Sequence, residues 1–229
     1  MPSNRALPAD CEARLRARIS QAASDVRKIA ALGYPRASVI TFVGNRYQLS
    51  RMERDVLLRM AFTRKEASRR RKKMVRAGQL RGSRLIIDGY NVTITLESAL
   101  CRRLLVLADD GFVRDVSRIF RSFRPTERTR QAWQIILSFL KDYRPSYVQV
   151  LLDRPFSRSG ELASRIGRWI DGAGLSGQCR AVAMNERQMA EMEGIKASAD
   201  TVIIDHSDLV FDLAGHIIRR RLRLRPFRC

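Results

Sequence analysis

The sequence predicts an α/β fold, a mostly parallel sheet covered by helices, preceded by a small basic all-α domain. Three observations carry that expectation. From residue 84 on, short apolar runs such as "RLIID", "LLVLAD", "YVQVLLD" and "TVIID" alternate with longer stretches of helical period. That is the pattern of strands joined by right-handed helical crossovers. Upstream, the clearest apolar periodicity is helical. Charge divides the chain at the same place: residues 1–84 hold 21 Lys/Arg against 6 Asp/Glu, residues 85–218 hold 17 of each, and the tail "RRRLRLRPFRC" adds six arginines and no acid.

Taken in order, Leu15, Ile19, Ala22, Val26 and Ile29 are spaced four, three, four and three apart, which is one helical face. That helix should stop at Gly33, with Tyr34-Pro35 preventing continuation. The short apolar segment "ASVITFVGNRYQL" follows, and "SRME" then supplies a capping box with Ser50 as N-cap and Glu53 reaching back. Val56, Leu57 and Met60 carry that helix inward, so residues 10–62 read as a three-helix unit compatible with a helix-turn-helix. It lies inside a basic domain spanning 1–78. Residues 64–84, with ten basic residues and one acid, have little to bury and read as a solvated helix extension or linker. Gly78 and Gly82 mark the boundary.

The second domain spans 84–229 and opens with the strand "RLIID". "LLVLAD" (104–109) is the next strand, and 92–100 is either a helix or a strand pairing with it as a hairpin. "TERTRQAWQIILSFLKDY" places Trp133, Ile136, Leu137 and Leu140 at helical spacing. A strand at 147–153, a helix "SGELASRIGRWIDGAG", a strand "CRAVAM" and a helix "NERQMAEMEG" follow. "TVIID" (201–205) reads as the last strand and "SDLVFDLAGHIIRR" as the final helix.

A net charge of +21 attracts polyanions, and neutralising phosphates releases counterions. The charge points to nucleic acid or a nucleoprotein, ahead of an anionic membrane surface, held by Arg69, Arg70, Arg71, Lys72 and Lys73 of the basic segment and by Arg219, Arg220 and Arg221 of the tail. With 45% hydrophobic residues the chain is globular. No apolar run approaches the ~18 residues of a bilayer span, and the first twenty residues lack a signal peptide's apolar centre. A cytoplasmic location without a membrane partner is expected. Cys11, Cys101, Cys179 and Cys229 lie far apart and the histidines are His206 and His216 alone, too few for a zinc site. The absence of GxGxxG, a P-loop or a nucleophile elbow excludes dehydrogenase, NTPase and serine hydrolase readings.

The acids at the ends of the apolar runs are the chemical signal. Asp88 ends "LIID", Asp109 and Asp110 end "LLVLADD", Asp153 ends "QVLLD" and Asp205 ends "TVIID". In parallel sheets ligands bind outside the carboxyl ends of strands, so these acids should converge. At ~4 Å and an effective dielectric near 20, each like-charged pair costs on the order of 4 kcal/mol. Either Mg²⁺ or Mn²⁺ balances them, as hard cations take oxygen ligands, or nearby arginines such as Arg114, Arg154 and Arg158 do.

"IIDGYNV" resembles the opening motif of PIN-like nuclease domains, especially their NYN branch, and "KASADTVIID" resembles the segment where a late acid completes that superfamily's metal site. The whole chain is similar to an uncharacterised archaeal family that joins a basic helical domain, matching "GYPRASVITFVGNRYQLS", to a PIN-like one, matching "IDGYNV", "DDGFVRD" and "SRSGELA". The resemblance implies Asp88 as first metal ligand, Asn91 orienting substrate or metal-held water, Asp153 as a mid-domain acid and Asp200 or Asp205 as the late one. Asp110 is a further candidate ligand, and Glu97, Asp110 and Asp115 compete for an acid that usually sits on a helix. The segment "VTITLESALCRRLLVLADDG" looks like an insertion.

Together these imply a metal-dependent ribonuclease with basic RNA-binding extensions, catalysed by Asp88, Asn91, Asp153 and Asp200. The alternatives are a non-catalytic RNA- or ribosome-binding protein on the same scaffold, or a DNA-binding regulator. Ser157, Ser159 and Gly160, at a helix start after a strand, are candidates for a phosphate site. Arg114 could hold a scissile phosphate or pair with an acid. His206 reads as an exposed loop residue, and Trp133 and Trp169 as core.

Overall fold

The computed structural model describes residues 9–117, 123–153, 159–183 and 186–229. Helix α1 (Ala9–Ala31) turns Leu15, Ile19, Ala22 and Val26 inward and ends just before Gly33, whose φ of +95° reverses the chain. Helix α2 (Arg36–Arg46) starts directly after Pro35 and buries Val39, Ile40 and Val43. Helix α3 (Arg51–Met60) carries its capping box: Ser50 Oγ accepts from the Glu53 N–H and Glu53 Oε2 accepts from the Ser50 N–H at 2.7 Å. Thr63 and Glu66 form a second capping box that starts α4 (Arg64–Lys73). The basic segment is therefore more than a solvated linker. Ala67 and Arg70 of α4 are buried, because α4 lies between the helical unit and the sheet domain.

The remaining elements are β1 (Arg84–Asp88), α5 (Gly89–Leu100), β2 (Leu105–Leu107), β3 (Val113–Asp115), α6 (Glu127–Tyr143), β4 (Tyr147–Asp153), α7 (Ser159–Gly172) and β5 (Gly177–Val182). After these come α8 (Glu186–Glu191), β6 (Ile195–Ala197), α9 (Thr201–His206), β7 (Val210–Phe211) and α10 (Leu213–Arg220). The main sheet has the order β5-β4-β1-β6-β7 with every neighbouring pair parallel. Strand alternation divides its sides. Leu85 and Ile87 face the large core built with α5, α6, α7 and α10, whereas Ile86 and Leu151 face a smaller one with Met189 of α8 and Ile203 of α9. The chain steps from β1 outward to β4 and β5, then returns to β6 on the other side of β1. Strand order therefore reverses between β1 and β6, where a parallel sheet opens a crevice.

Two expectations are corrected. "TVIID" is helix α9 and not a strand, because Asp200 accepts from the Val202 and Ile203 N–H groups at 2.7 and 3.3 Å and caps a helix there. That local cap outweighs the β-branched composition, and the strand lies instead at Ile195–Ala197. Residues 92–100 are helical, not half of a hairpin. The hairpin that does form, β2 with β3, stands apart from the main sheet. Phe227 of the arginine-rich tail bonds alongside it, its N–H to Leu105 O at 2.8 Å and its carbonyl to the Leu107 N–H at 2.7 Å. Val106, Ala108, Val116 and Phe227 then share one core with Leu15, Ile19 and Met60. The tail thus staples the helical unit to the sheet domain rather than extending freely. Among the described residues no helix is long and apolar enough to cross a membrane.

Candidate acidic site at the carboxyl edge of the sheet

Asp88 ends β1 and caps α5 at once. Its Oδ1 accepts from the Asn91 N–H at 3.2 Å and its Oδ2 from the Ser198 hydroxyl at 2.9 Å. A helix can begin this close to β4 only over a glycine: a Cβ on Gly89 would lie 2.6 Å from Leu152 Cδ2 and 2.9 Å from the Leu151 carbonyl oxygen. The Asp-Gly pair of the motif is thus a cap joined to a close approach. Asn91 Oδ1 accepts from the Ala199 N–H at 3.0 Å, and Ser198 Oγ accepts from the Asp200 N–H at 3.0 Å. These bonds lash the β1–α5 turn to the β6–α9 turn, across the point where strand order reverses.

Around that seam lies a cavity of about 240 Å³ whose walls include Asp88, Asn91, Asp115, Asp153, Glu186 and Asp200. At ~30 Å³ per water it has room for roughly eight waters, enough for a phosphate with its hydration. Burial pushes the Asp88 carboxyl up to about 7, opposed by the Asn91 N–H and the Ser198 hydroxyl and reinforced by the charges of Asp200 and Glu186. Burial and the neighbouring Asp153 raise the Tyr90 hydroxyl to about 12. Asp115 Oδ2 accepts from the Ser117 N–H and hydroxyl at 3.0 and 2.7 Å, while its buried Oδ1 has no hydrogen-bond partner among the described residues. Asp88, Asp115, Glu186 and Asp200 make no ion pair with a described residue.

Every acidic donor here is a hard carboxylate oxygen, so the donor set suits Mg²⁺ or Mn²⁺. Among the described residues no group of three or more His, Cys, Asp or Glu side chains is gathered to hold an ion alone. A cation of this kind is commonly held by one or two carboxylates and keeps several waters, which the cavity can hold.

Four of the sequence candidates, Asp88, Asn91, Asp153 and Asp200, meet at this cavity; Asp110 and Asp205 do not. Asp110 is fully buried, bonded by Arg114 at 2.7 and 2.8 Å and by Arg70 at 3.2 Å. Burial would raise its carboxyl, but Arg114 and Arg70 outweigh burial and hold it below the usual range. Asp205 meets Arg70 at 2.7 and 2.8 Å and Arg69 at 3.0 Å, and is lowered in the same way. Three guanidiniums surround the Phe62 ring, those of Arg36, Arg70 and Arg114 at 3.9, 4.5 and 5.0 Å from its centre. Burial and then Arg114 bring Arg36 down to about 10, so it stays charged at neutral pH.

The basic segment is divided: Arg70 is buried and Lys73 half-buried, while Arg64, Lys65, Arg69, Arg71 and Arg76 stay exposed. Arg69 and Arg70 hold Asp205, Arg71 bonds the Asp109 carbonyl at 2.5 Å, and Lys73 bonds the carbonyls of Ile204 and Asp205 at 3.1 and 2.6 Å. Lys72 remains exposed. In the tail, Arg219 lies 3.6 Å from buried Asp212 and Arg221 pairs with Asp142, whereas Arg220 is exposed. Asp109 is held by Arg27 at 2.7 and 2.9 Å. Glu97 accepts from Thr129 at 2.5 Å inside the domain, so of the three competing acids it is Asp115 that reaches the cavity. Ser159 and Gly160 open α7 without lining the cavity; Ser157, Arg154 and Arg158 lie outside the described residues. His206 is exposed and Trp133 is buried on Thr93 at 3.1 Å. Glu186 and Arg59 were missed. Glu186 sits in the first turn of α8 and Arg59 on α3, and neither position carries a strand-end signal.

A family model described as Protein of unknown function (DUF434) matches residues 18–73. The uncharacterized protein MJ0935 of the archaeon Methanocaldococcus jannaschii is 29% identical over 202 residues, covering 87% of this chain and 96% of that protein. No solved structure matches the chain. The model described as Domain of unknown function (DUF5616) matches residues 77–216, from the turn before β1 into α10 and so across the whole cavity wall of the sheet domain, and the chain belongs to that family.

Proposed function

We propose that this chain is a metal-dependent ribonuclease whose sheet domain is PIN-like, of the NYN type, with the acidic cavity as its active centre. One observation carries the reading: Asp88, Asp153 and Asp200, distant in sequence, line one cavity at the carboxyl edge of a parallel sheet, joined there by Asp115 and Glu186. Asp88 and Asp200 would hold Mg²⁺ or Mn²⁺ with waters completing the shell; the ion when bound would lower the pKa of water and stabilise charge on the oxygens of a phosphodiester undergoing displacement. The chain's own groups set the geometry. Ser198 and the Asn91 N–H fix both oxygens of Asp88. Asn91, its carbonyl oxygen taken by Ala199, has its amide nitrogen left to donate to a phosphate oxygen.

The test is cleavage of single-stranded RNA in Mn²⁺ by the wild type and by Asp88→Asn. The expected outcome is a fall in turnover of about 10²-fold or more, the scale of losing one electrostatic partner of a transition state, with RNA binding retained or tightened. RNA bound but never cut by the wild type would make the protein a binding scaffold, and preference for a duplex DNA sequence would make it a regulator.

A further inference from the structure

We infer that the cavity is a two-part site in which Arg59, carried by the helical unit, holds a phosphate of a single-stranded nucleic acid over the acidic centre of the sheet domain. This rests on the nucleic-acid reading of the cavity but not on its being catalytic. Two arginines, Arg59 and Arg114, line the cavity. Arg114 is buried, with its fork on Asp110 and its Nε on the Ala199 carbonyl at 2.8 Å, so it braces the β6–α9 turn and has no donor pair to offer. Arg59 is exposed and makes no hydrogen bond or ion pair with a described residue. It faces five carboxylates yet pairs with none among the described residues.

The backbone that carries Arg59 is held from both sides. On one side the Arg36 guanidinium bonds the carbonyls of Leu58 and, at 2.9 Å, Ala61. On the other, the Asp109 N–H bonds Met60 O at 3.0 Å, and the Asp109 carboxylate accepts from the Phe62 N–H at 2.9 Å. Arg27 ties the same carboxylate to α1. Behind this, Arg70 spans Asp110 and Asp205, and Arg114 passes the link through Ala199 to Asn91. The position of a residue from the first unit is thereby fixed against Asp88 of the second. A guanidinium presents a planar fork that binds two phosphate oxygens at once. Among carboxylates that repel it, a backbone phosphate is drawn to Arg59, the exposed guanidinium of the same cavity, leaving its remaining oxygens free. The alternative role, a counter-ion that merely screens the acids, predicts stability effects in place of binding effects.

The experiment measures binding of a short fluorescein-labelled oligo(U) by anisotropy, across a salt series in Mg²⁺ buffer, in the full chain carrying Asp88→Asn so that the strand stays intact. Into that background go Arg59→Gln, Arg59→Lys and, as a charge control, Arg81→Gln. Arg81 is an exposed arginine just before the N-terminal end of β1, at the opposite edge of the sheet. Arg59→Gln should weaken binding by about 10-fold and lower the salt slope by about 0.7, one single-strand phosphate contact. Arg59→Lys should recover the slope but not the full affinity, and Arg81→Gln should change affinity by less than about 2-fold. Equal effects at Arg59 and Arg81, or a thermal stability lost at Arg59→Gln with binding unchanged, would overturn the inference. If the wild type cuts no RNA while Arg59→Gln still loses binding, the nuclease reading falls and the two-part site stands. If the wild type cuts RNA and Arg59→Gln cuts and binds like Arg81→Gln, the reverse holds.

Discussion

Two groups of acids look alike in the sequence and end as opposites in the fold. Asp110 and Asp205 lie between the helical unit and the sheet domain, each gripped by guanidiniums that hold its carboxyl below the usual range. Asp88, Asp115 and Asp200 line a cavity without such partners among the described residues, and the carboxyl of Asp88 rises to about 7. Burial pushes the carboxyls of Asp88, Asp110 and Asp205 in the same direction, upward. The difference is the supply of positive charge, and α4 delivers it to one group only. A neutralised buried acid is a structural joint, and an unneutralised one in a cavity is a candidate site.

The sharpest way to break this comparison is to remove the charge from the joint. Arg70→Ala leaves Asp110 fully buried beside Arg114 alone and strips Asp205 of its bidentate partner, so unfolding should become easier by about 3–5 kcal/mol. Urea denaturation checks it, with exposed Lys72→Ala on the same helix expected to stay within about 0.5 kcal/mol. A loss in Arg70→Ala no larger than in the control would mean the joint is ornamental.

A smaller effect separates the groups by their response to metal. Saturating Mn²⁺ should raise the melting temperature of the wild type through a stabilisation of about 2.7 kcal/mol at a hundredfold excess over its Kd. Asp88→Asn should abolish most of that shift. An undiminished shift in Asp88→Asn would place the ion elsewhere.

The smallest effect is one of sign, measured in EDTA. The folded pKa of Asp88 is raised, so the folded state keeps a proton that the unfolded chain releases above about pH 4. Stability from this group is full below about 4 and is lost as pH rises through about 7, by at most about 1.4 kcal/mol per pH unit. Asp110 is lowered, so its contribution is present above about pH 4 and lost as pH falls below it. Thermal melts of wild type against Asp88→Asn between pH 4 and 8 isolate the first slope from that of buried Asp212, which burial pushes to about 6 in the same window. Parallel curves for the two proteins would remove the perturbation from Asp88.

Much of the local structure was legible. The 4-3-4-3 spacing of α1, the Ser50–Glu53 capping box and the apolar runs of β1 and β4 are short-range signals, and local sterics and hydrogen bonds decide them. "TVIID" misled because a run of β-branched residues looks like a strand until the Asp200 cap is known to be engaged. The three-residue β6 was invisible for a related reason: "IKA" is too short for a period, and it is a strand only because β1 and β7 pair with it. The basic segment was legible only in part. Ten positive charges read as a solvated extension or linker, whereas Arg70 and Lys73 turn inward to partners more than 130 positions away.

By itself the sequence determined the class of the fold, the division into a basic helical front and a balanced α/β body, and the residue types that could form an acidic centre. Period, caps and net charge are properties of neighbours along the chain. Only the tertiary structure decided which acids are neutralised, that Asp115 and Glu186 join Asp88, and that Arg59 of the other unit looks onto them. Those outcomes depend on distances of a few ångströms between residues such as Asp88 and Ser198, 110 positions apart, and electrostatic interaction follows separation in space, weighted by burial, rather than separation in sequence.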